Sequence, residues 1–262
     1  MRAYVEFAKK AFQNNIAYRA DCVAGIINAI IMIFVNICVW KAIYEDEQAV
    51  AGVQFKMLIT YVVLAFLMQC IYAMDEYRIE NKVRSGSIGL DLLKPINFSG
   101  YTFSYNVGIL IFRVVMQLTP ALIISIFLFK MLPPFSLTMF ALFLVSMILG
   151  YLVLYCLNFI VWISSFWFYW TFSLVTIKDA AVMILSGALL PLWFMPQAMV
   201  DFINLTPFAS IYYVPITIYL GQMPMEEIAF ALIKQLIWAL GLFIIGRLLW
   251  RSALKKLVVQ GG

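Results

Sequence analysis

Histidine is absent from all 262 residues. With it go HExxH zinc sites, an imidazole base for a serine or cysteine nucleophile, and imidazole ligation of haem. No GxSxG elbow is present, and Asp21, Asp75, Asp179 and Asp201 stand at the ends of apolar runs or outside them. No two of them are placed to share a proton within such a run. A GxxxxGK(S/T) loop is also missing, which excludes that way of cradling nucleotide phosphates. Cysteine is scarce: Cys22, Cys38, Cys70 and Cys156 show no CxxC spacing and read as buried, inert thiols. The chain itself is expected to catalyse nothing and to bind no metal or cofactor.

Charge is the other scarcity, at 12% of residues against 65% hydrophobic and 16% aromatic. A soluble domain is roughly half apolar, so this composition is that of an integral membrane protein. In hydrocarbon every backbone N–H and C=O must be paired within its own segment, and a helical span takes about 20 mainly apolar residues. The sequence meets that requirement at about 22–43, 57–74, 107–129, 138–163, 176–195 and 228–250. The predicted fold class is an all-α integral membrane protein with six transmembrane helices, in a single domain over 1–262. The fourth and fifth spans are divided on few signals, because Lys178 and Asp179 are the only formal charges between Leu132 and Pro196. A single helix of that length would overshoot any bilayer.

Lys and Arg near span ends are retained on the cytoplasmic side. Arg2, Lys9, Lys10 and Arg19 precede the first span; Arg78, Lys82, Arg84 and Lys94 lie between the second and third; Lys178 precedes the fifth; Arg247, Arg251, Lys255 and Lys256 end or follow the sixth. The other side has Lys41, Lys56 and Lys130, with Lys234 a little inside the sixth span. Both termini are therefore expected in the cytoplasm. The +5 balance follows from topology and gives no reason to invoke nucleic acid. The charged N-terminal region runs to Asp21 and the apolar run after it is a full span long, so it reads as a retained segment rather than a cleaved signal.

Three segments outside the spans carry pattern. Within 1–21, Tyr4, Phe7, Ala8, Ala11 and Phe12 share one helical face opposite Arg2, Glu6, Lys9, Lys10 and Gln13, which predicts an interfacial amphipathic helix, an anchor or an elbow touching a cytoplasmic partner. "MDEYRIENKVRSGSIGLDLLKPIN", 74–97, holds eight charged residues. Asp75 to Arg84 fits a helix with Glu80 and Arg84 as i,i+4 neighbours, stopped at "SGS". Ile88 to Leu93 fits a second short helix ended by Pro95. Topology alone asks only for bases, so a mixed-charge knob with leucines over 75–94 reads as a docking surface for a soluble protein. The stretch 187–224 has prolines at 191, 196, 207, 215 and 224 and Asp201 as its only acid or base. It is too apolar for an exposed loop and too broken for a span, so short outer re-entrant helices are predicted over 196–225, with Pro196 suited to a first turn. They form an aromatic interface belt or an outer gate.

Polar residues inside the spans are few. Arg113 lies about two turns inside the third span, where a long side chain can snorkel to the interface. Asn28, Met32 and Asn36 are four apart and line one stripe of the first span, while Gln69 and Asn158 stand alone. Such amides bond another helix or line a pathway. No buried Asp, Glu or His relay of a proton-coupled carrier is present.

This layout resembles the permeases of type-2 ATP-binding-cassette exporters over most of the chain. "VRSGSIGLDLLKPIN" (83–97) is similar to the "RSG…D.LL.(R/K)P" signature of a bacterial subgroup of daunorubicin- or viologen-type exporter permeases, and "SGALLPLWFMPQAMVDFINLTPFASIYYVPITIYLGQ" (186–222) is similar to its outer region. The resemblance implies that 75–94 is a coupling helix seated in a cleft of an ATP-binding subunit. Glu80, Lys82, Arg84, Asp91 and Lys94 would make that contact, and Gly86 would permit the bend. It implies a pair of ATP-binding subunits carrying ATP and Mg, a second permease chain, the same or different, and a bacterial inner-membrane location. Spans one, two and five of two permeases would line the route, with Asn28, Met32, Asn36 and Arg113 along it and Trp193 and Phe194 at its gate. The expected function is export of a hydrophobic or amphipathic drug, lipid or peptide. The rivals are a stand-alone carrier or channel and a non-transporting membrane anchor or sensor.

Overall fold

The computed structural model describes residues 2–16, 19–44, 49–50, 52–168 and 170–256. The chain is overwhelmingly helical, an all-α membrane protein apart from one two-residue pairing, and divides into two compact units, Met1–Met74 with Leu92–Pro133, and Asp75–Asp91 with Pro134–Gly262. Among the described residues five helical runs are long and apolar enough to cross a membrane: Cys22–Tyr44, Phe55–Tyr72, Phe98–Phe129, Leu137–Phe166 and Met225–Leu254. They match the first four and the last of the predicted spans. The third starts nine residues before the predicted 107, because the side chain of Asn97 caps it by accepting from the N–H of Gly100 at 3.0 Å.

In the first unit, α1 (Arg2–Ile16) lays the predicted apolar face of Tyr4, Phe7, Ala8, Ala11 and Phe12 along α6 (Phe98–Arg113); Met1 and residues 17 and 18, at the margins of that call to 1–21, lie outside the described residues. Phe7 meets Tyr101 edge-on at 4.8 Å between ring centres and Phe12 meets Phe112 at 5.7 Å. Gly108 makes the approach possible, since a Cβ there would lie 2.8 Å from the carbonyl carbon of Ala8 and 2.9 Å from the Cβ of Ala11. The stripe's partner is thus a helix of the same unit. Lipid offers no hydrophobic drive between helices, so close packing holds this unit: α2 (Arg19–Tyr44) and α3 (Phe55–Tyr72) meet α7 (Thr119–Phe129) around Ile33, Val63, Leu67 and Ala121. Between α6 and α7 the helix widens into a π turn, Val114–Leu118. Pro120 lacks an N–H and its ring crowds the preceding turn; Thr119 answers by directing both its backbone N–H and its hydroxyl to the carbonyl of Val114.

In the second unit α8 (Leu137–Ile163) packs along α12 (Met225–Leu254), and α11 (Tyr213–Tyr219) packs against α8. Gly150 forms the notch, since a Cβ there would lie 2.9 Å from the carbonyl oxygens of both Ser210 and Ile211. Gln235 of α12, fully buried, accepts from the hydroxyl of Ser146 at 3.0 Å and donates to the carbonyl of Ser210 at 2.7 Å. The predicted fifth span differs from expectation. Its helix, α9 (Phe172–Leu185), has 14 residues, about 21 Å at 1.5 Å per residue, and turns at Gly187 (φ 81°). The 187–224 stretch is broken as read, into α10 (Gln197–Asn204), α11 and 3-10 turns at Leu192–Phe194 and Phe208–Ser210. Pro196 stands one residue ahead of α10, its carbonyl accepting from Met199 and Val200.

Candidate functional site

The charged stretch folds into two short helices, α4 (Arg78–Arg84) and α5 (Ile88–Leu92), the first starting at Arg78 where the sequence reading starts it at Asp75 and the second ending one residue before the predicted Leu93. Ser85 closes the first helix, and Gly86 takes the left-handed conformation (φ 71°) that a side chain would strain. An ion pair between Lys82 and Asp91 ties the two helices together. Residues 75–91 belong to the second unit; of their acids Glu80 and Asp91 are buried, Glu76 is half-buried and Asp75 is exposed.

Glu80 is 3% exposed. It accepts from the backbone N–H of Thr171 at 3.0 Å and from the Thr171 hydroxyl, and its other oxygen lies 3.6 Å from the Arg84 guanidinium. Thr171 is the residue that opens α9, so a carboxylate from α4 sits over a helix N-terminus, where the helix dipole favours negative charge. Arg84 lies over the Trp170 ring, 3.6 Å from its centre, the placement of a cation–π contact.

Glu76, just before α4, makes a second contact with α9. Its Oε1 accepts from Lys178 Nζ at 2.9 Å and its Oε2 from the Trp162 indole N–H at 3.0 Å. Lys178 also donates to Asn158 Oδ1 at 2.7 Å and pairs with Asp179 at 2.6 Å. An ammonium has three protons, and each of these has an oxygen to meet. Such saturation is what a buried charge requires. Burial pushes the Glu76 carboxyl above its ordinary range, and the Lys178 ammonium opposes that rise.

The predicted site residues therefore separate. Glu80, Lys82, Arg84, Gly86 and Asp91 share the hairpin, but Glu80 and Asp91 are buried within the chain while Arg84 and Gly86 stay exposed. Lys94 is exposed in the first unit, its ammonium 5.9 Å from the centre of the Tyr101 ring. Leu90 and Leu93 are 68% and 81% exposed. Asn28 and Met32 are exposed on α2 and Asn36 is half-buried, donating to the carbonyl of Met32 at 3.2 Å, while Ala29 and Ile33 take the buried stripe. Arg113 donates to the carbonyl of Cys70 at 3.0 Å and so satisfies the last turn of α3. Trp193 and Phe194 are half-buried in a 3-10 turn, with Trp193 edge-on to Tyr213 at 6.0 Å. Of the cysteines only Cys156 is buried; Cys38 is exposed on α2, because its position faces away from the Ala29–Ile33 stripe.

Sequence reading missed Glu76, Lys178, Trp162 and Asn158 as one constellation. The available signal was Lys178 itself, a lone base inside an apolar stretch that needs an acid partner. A family model described as ABC-2 family transporter protein matches residues 30–261. No curated protein and no solved structure matches the chain.

Proposed function

Because this chain belongs to the ABC-2 transporter family, we propose that it is the permease subunit of an exporter of hydrophobic or amphipathic compounds, driven by ATP hydrolysed in a separate pair of ATP-binding subunits. ATP and Mg belong to those subunits, and the chain itself is non-catalytic. It sits in a bacterial inner membrane with both termini cytoplasmic, crosses six times with α9 as a short fifth span, and works beside a second permease copy or a related chain. The 75–94 region is the docking element.

The observation that carries this reading is the construction of the hairpin. Glu76, Glu80 and Asp91 are paired within the chain, the two helices are tied by Lys82 and Asp91, and Leu90 stands outward on a rigid knob with Arg84, Ser85 and Gly86 exposed at its bend. An apolar residue at 68% exposure outside the long apolar helices suits a protein cleft better than water. The exposed Asn28 and the half-buried Asn36 within the apolar 22–40 run of α2 suit a route for amphipathic cargo between permeases, with Arg113 fixing α3 behind it and Trp193 and Phe194 at the outer end. The test is to tag the chain, solubilise native membranes gently and identify what copurifies. An ATP-binding subunit recovered with wild type and lost with Leu90→Asp supports the reading. Recovery of none under several mild detergents favours a stand-alone carrier. Recovery without any ATP-dependent flux favours an anchor or sensor.

A further inference from the structure

The coupling reading leaves open which helix follows when the hairpin moves. Two acids four residues apart reach α9 at two points: Glu80 at Thr171, which opens the helix, and Glu76 at Lys178, about two turns further in. The rest of the hold on α9 is apolar: Leu185 packs against the Leu192, Ile203 and Ala209 cluster, and the helix meets the Phe208–Ser210 turn and α8. Of its 14 residues only Val175, Lys178 and Val182 are buried, and Lys178 is itself one of the gripped positions. Charge-assisted hydrogen bonds in a low-dielectric surround are short and directional, whereas Val175, Val182 and Leu185 offer only non-directional contact. The hairpin end of the grip is stiff, because Lys82 and Asp91 close it. On the other side Asn158 and Trp162 of α8 hold Lys178 and Glu76 respectively, so α8 is the support against which the pair works.

We infer that α9 is the helix the hairpin drives, and that Glu76 and Lys178 are the positioning residues that fasten the two; this rests on the coupling reading above. Displacement of the hairpin is carried through two carboxylates into α9, and α9 leads directly to the turn at Gly187 and the Trp193–Phe194 segment. Docking on one side of the membrane is thereby linked to the broken outer segment by one short helix.

The test uses membrane vesicles holding the chain with its ATP-binding subunits, the four native cysteines changed to alanine, and Ala180→Cys placed on the exposed side of α9. Labelling by N-ethylmaleimide is timed with and without ATP plus vanadate. The expected result is a several-fold change in rate on adding ATP and vanadate, lost in Glu76→Gln/Lys178→Met, kept in Lys178→Arg, with the ATP-binding subunits copurifying throughout. A response that survives the double neutralisation overturns the inference. So does an unresponsive thiol in the otherwise unaltered chain while the subunits still copurify, and that outcome leaves the coupling reading standing. Failure of any ATP-binding subunit to copurify with the unaltered chain overturns both. Where the double variant does not reach the membrane, Glu80→Gln tests the other grip point by the same readout.

Discussion

At Lys178 a positive charge that is expensive in an apolar surround meets three oxygens, from Glu76, Asn158 and Asp179. Removing one member of such a group costs more than removing the pair, because the survivor stays buried and unpaired. Lys178→Met is expected to destabilise the purified chain by about 3–5 kcal/mol, and Glu76→Gln/Lys178→Met by clearly less. Thermal unfolding of both in one detergent checks the order, and equal losses would mean that the pair is solvated. Glu76 also gives a pH signature. Burial raises its carboxyl, so the folded chain holds that proton more tightly than the unfolded one. Its contribution to stability is therefore greatest below the ordinary value of about 4.3 and declines as pH rises through the higher folded value. Melting temperature of wild type should fall relative to Glu76→Gln across that window, and a pH-independent gap would contradict the assignment.

Among the elements, α1 depends on one residue of its partner. A side chain at Gly108 meets the Ala8 backbone, which cannot move aside as a flexible side chain can, whereas one at Gly100 meets only the Tyr4 ring at 2.9 Å. Gly108→Val is expected to cost about 1–3 kcal/mol by overpacking and to free α1 for limited proteolysis, with Gly100→Val milder. Equal protection of α1 in both variants would show that the groove is not what holds it. The same elements show what was legible. The apolar face of α1 follows from its 3.6-residue period, and α4, Gly86 and α5 follow from charge, glycine and proline placed in order. The inward turn of Glu80 does not, because its partner Thr171 lies 91 residues away and no local pattern encodes a tertiary hydrogen bond. The π turn was written in Pro120 but was hidden by the continuous apolar composition around it.

For the whole molecule the open quantity is the number of crossings, and it turns on α9. At 14 residues, about 21 Å long, it falls short of a hydrocarbon core of about 30 Å. The chain beyond it is irregular, and irregular backbone is tolerated at membrane depth only where protein surrounds and pairs it. That condition is met here. Ser186, Ala188 and Leu192 are buried, Ser186 N–H donates to Val182, Leu189 N–H to Met183, Tyr213 N–H to the carbonyl of Ser186, and the Ser186 hydroxyl accepts from Ala188 N–H. A short helix completed by a sheltered turn can therefore traverse where a bare loop cannot. Six crossings place Gln222 outside and Lys255 inside with the other basic ends, while five would put Gln222 inside and strand Arg251, Lys255 and Lys256 outside, against the retention of basic residues. In intact cells a membrane-impermeant maleimide should modify Gln222→Cys and spare Ser87→Cys and Lys255→Cys. Modification of Lys255→Cys with protection of Gln222→Cys would reduce the count to five and remove α9 from the set of spanning helices.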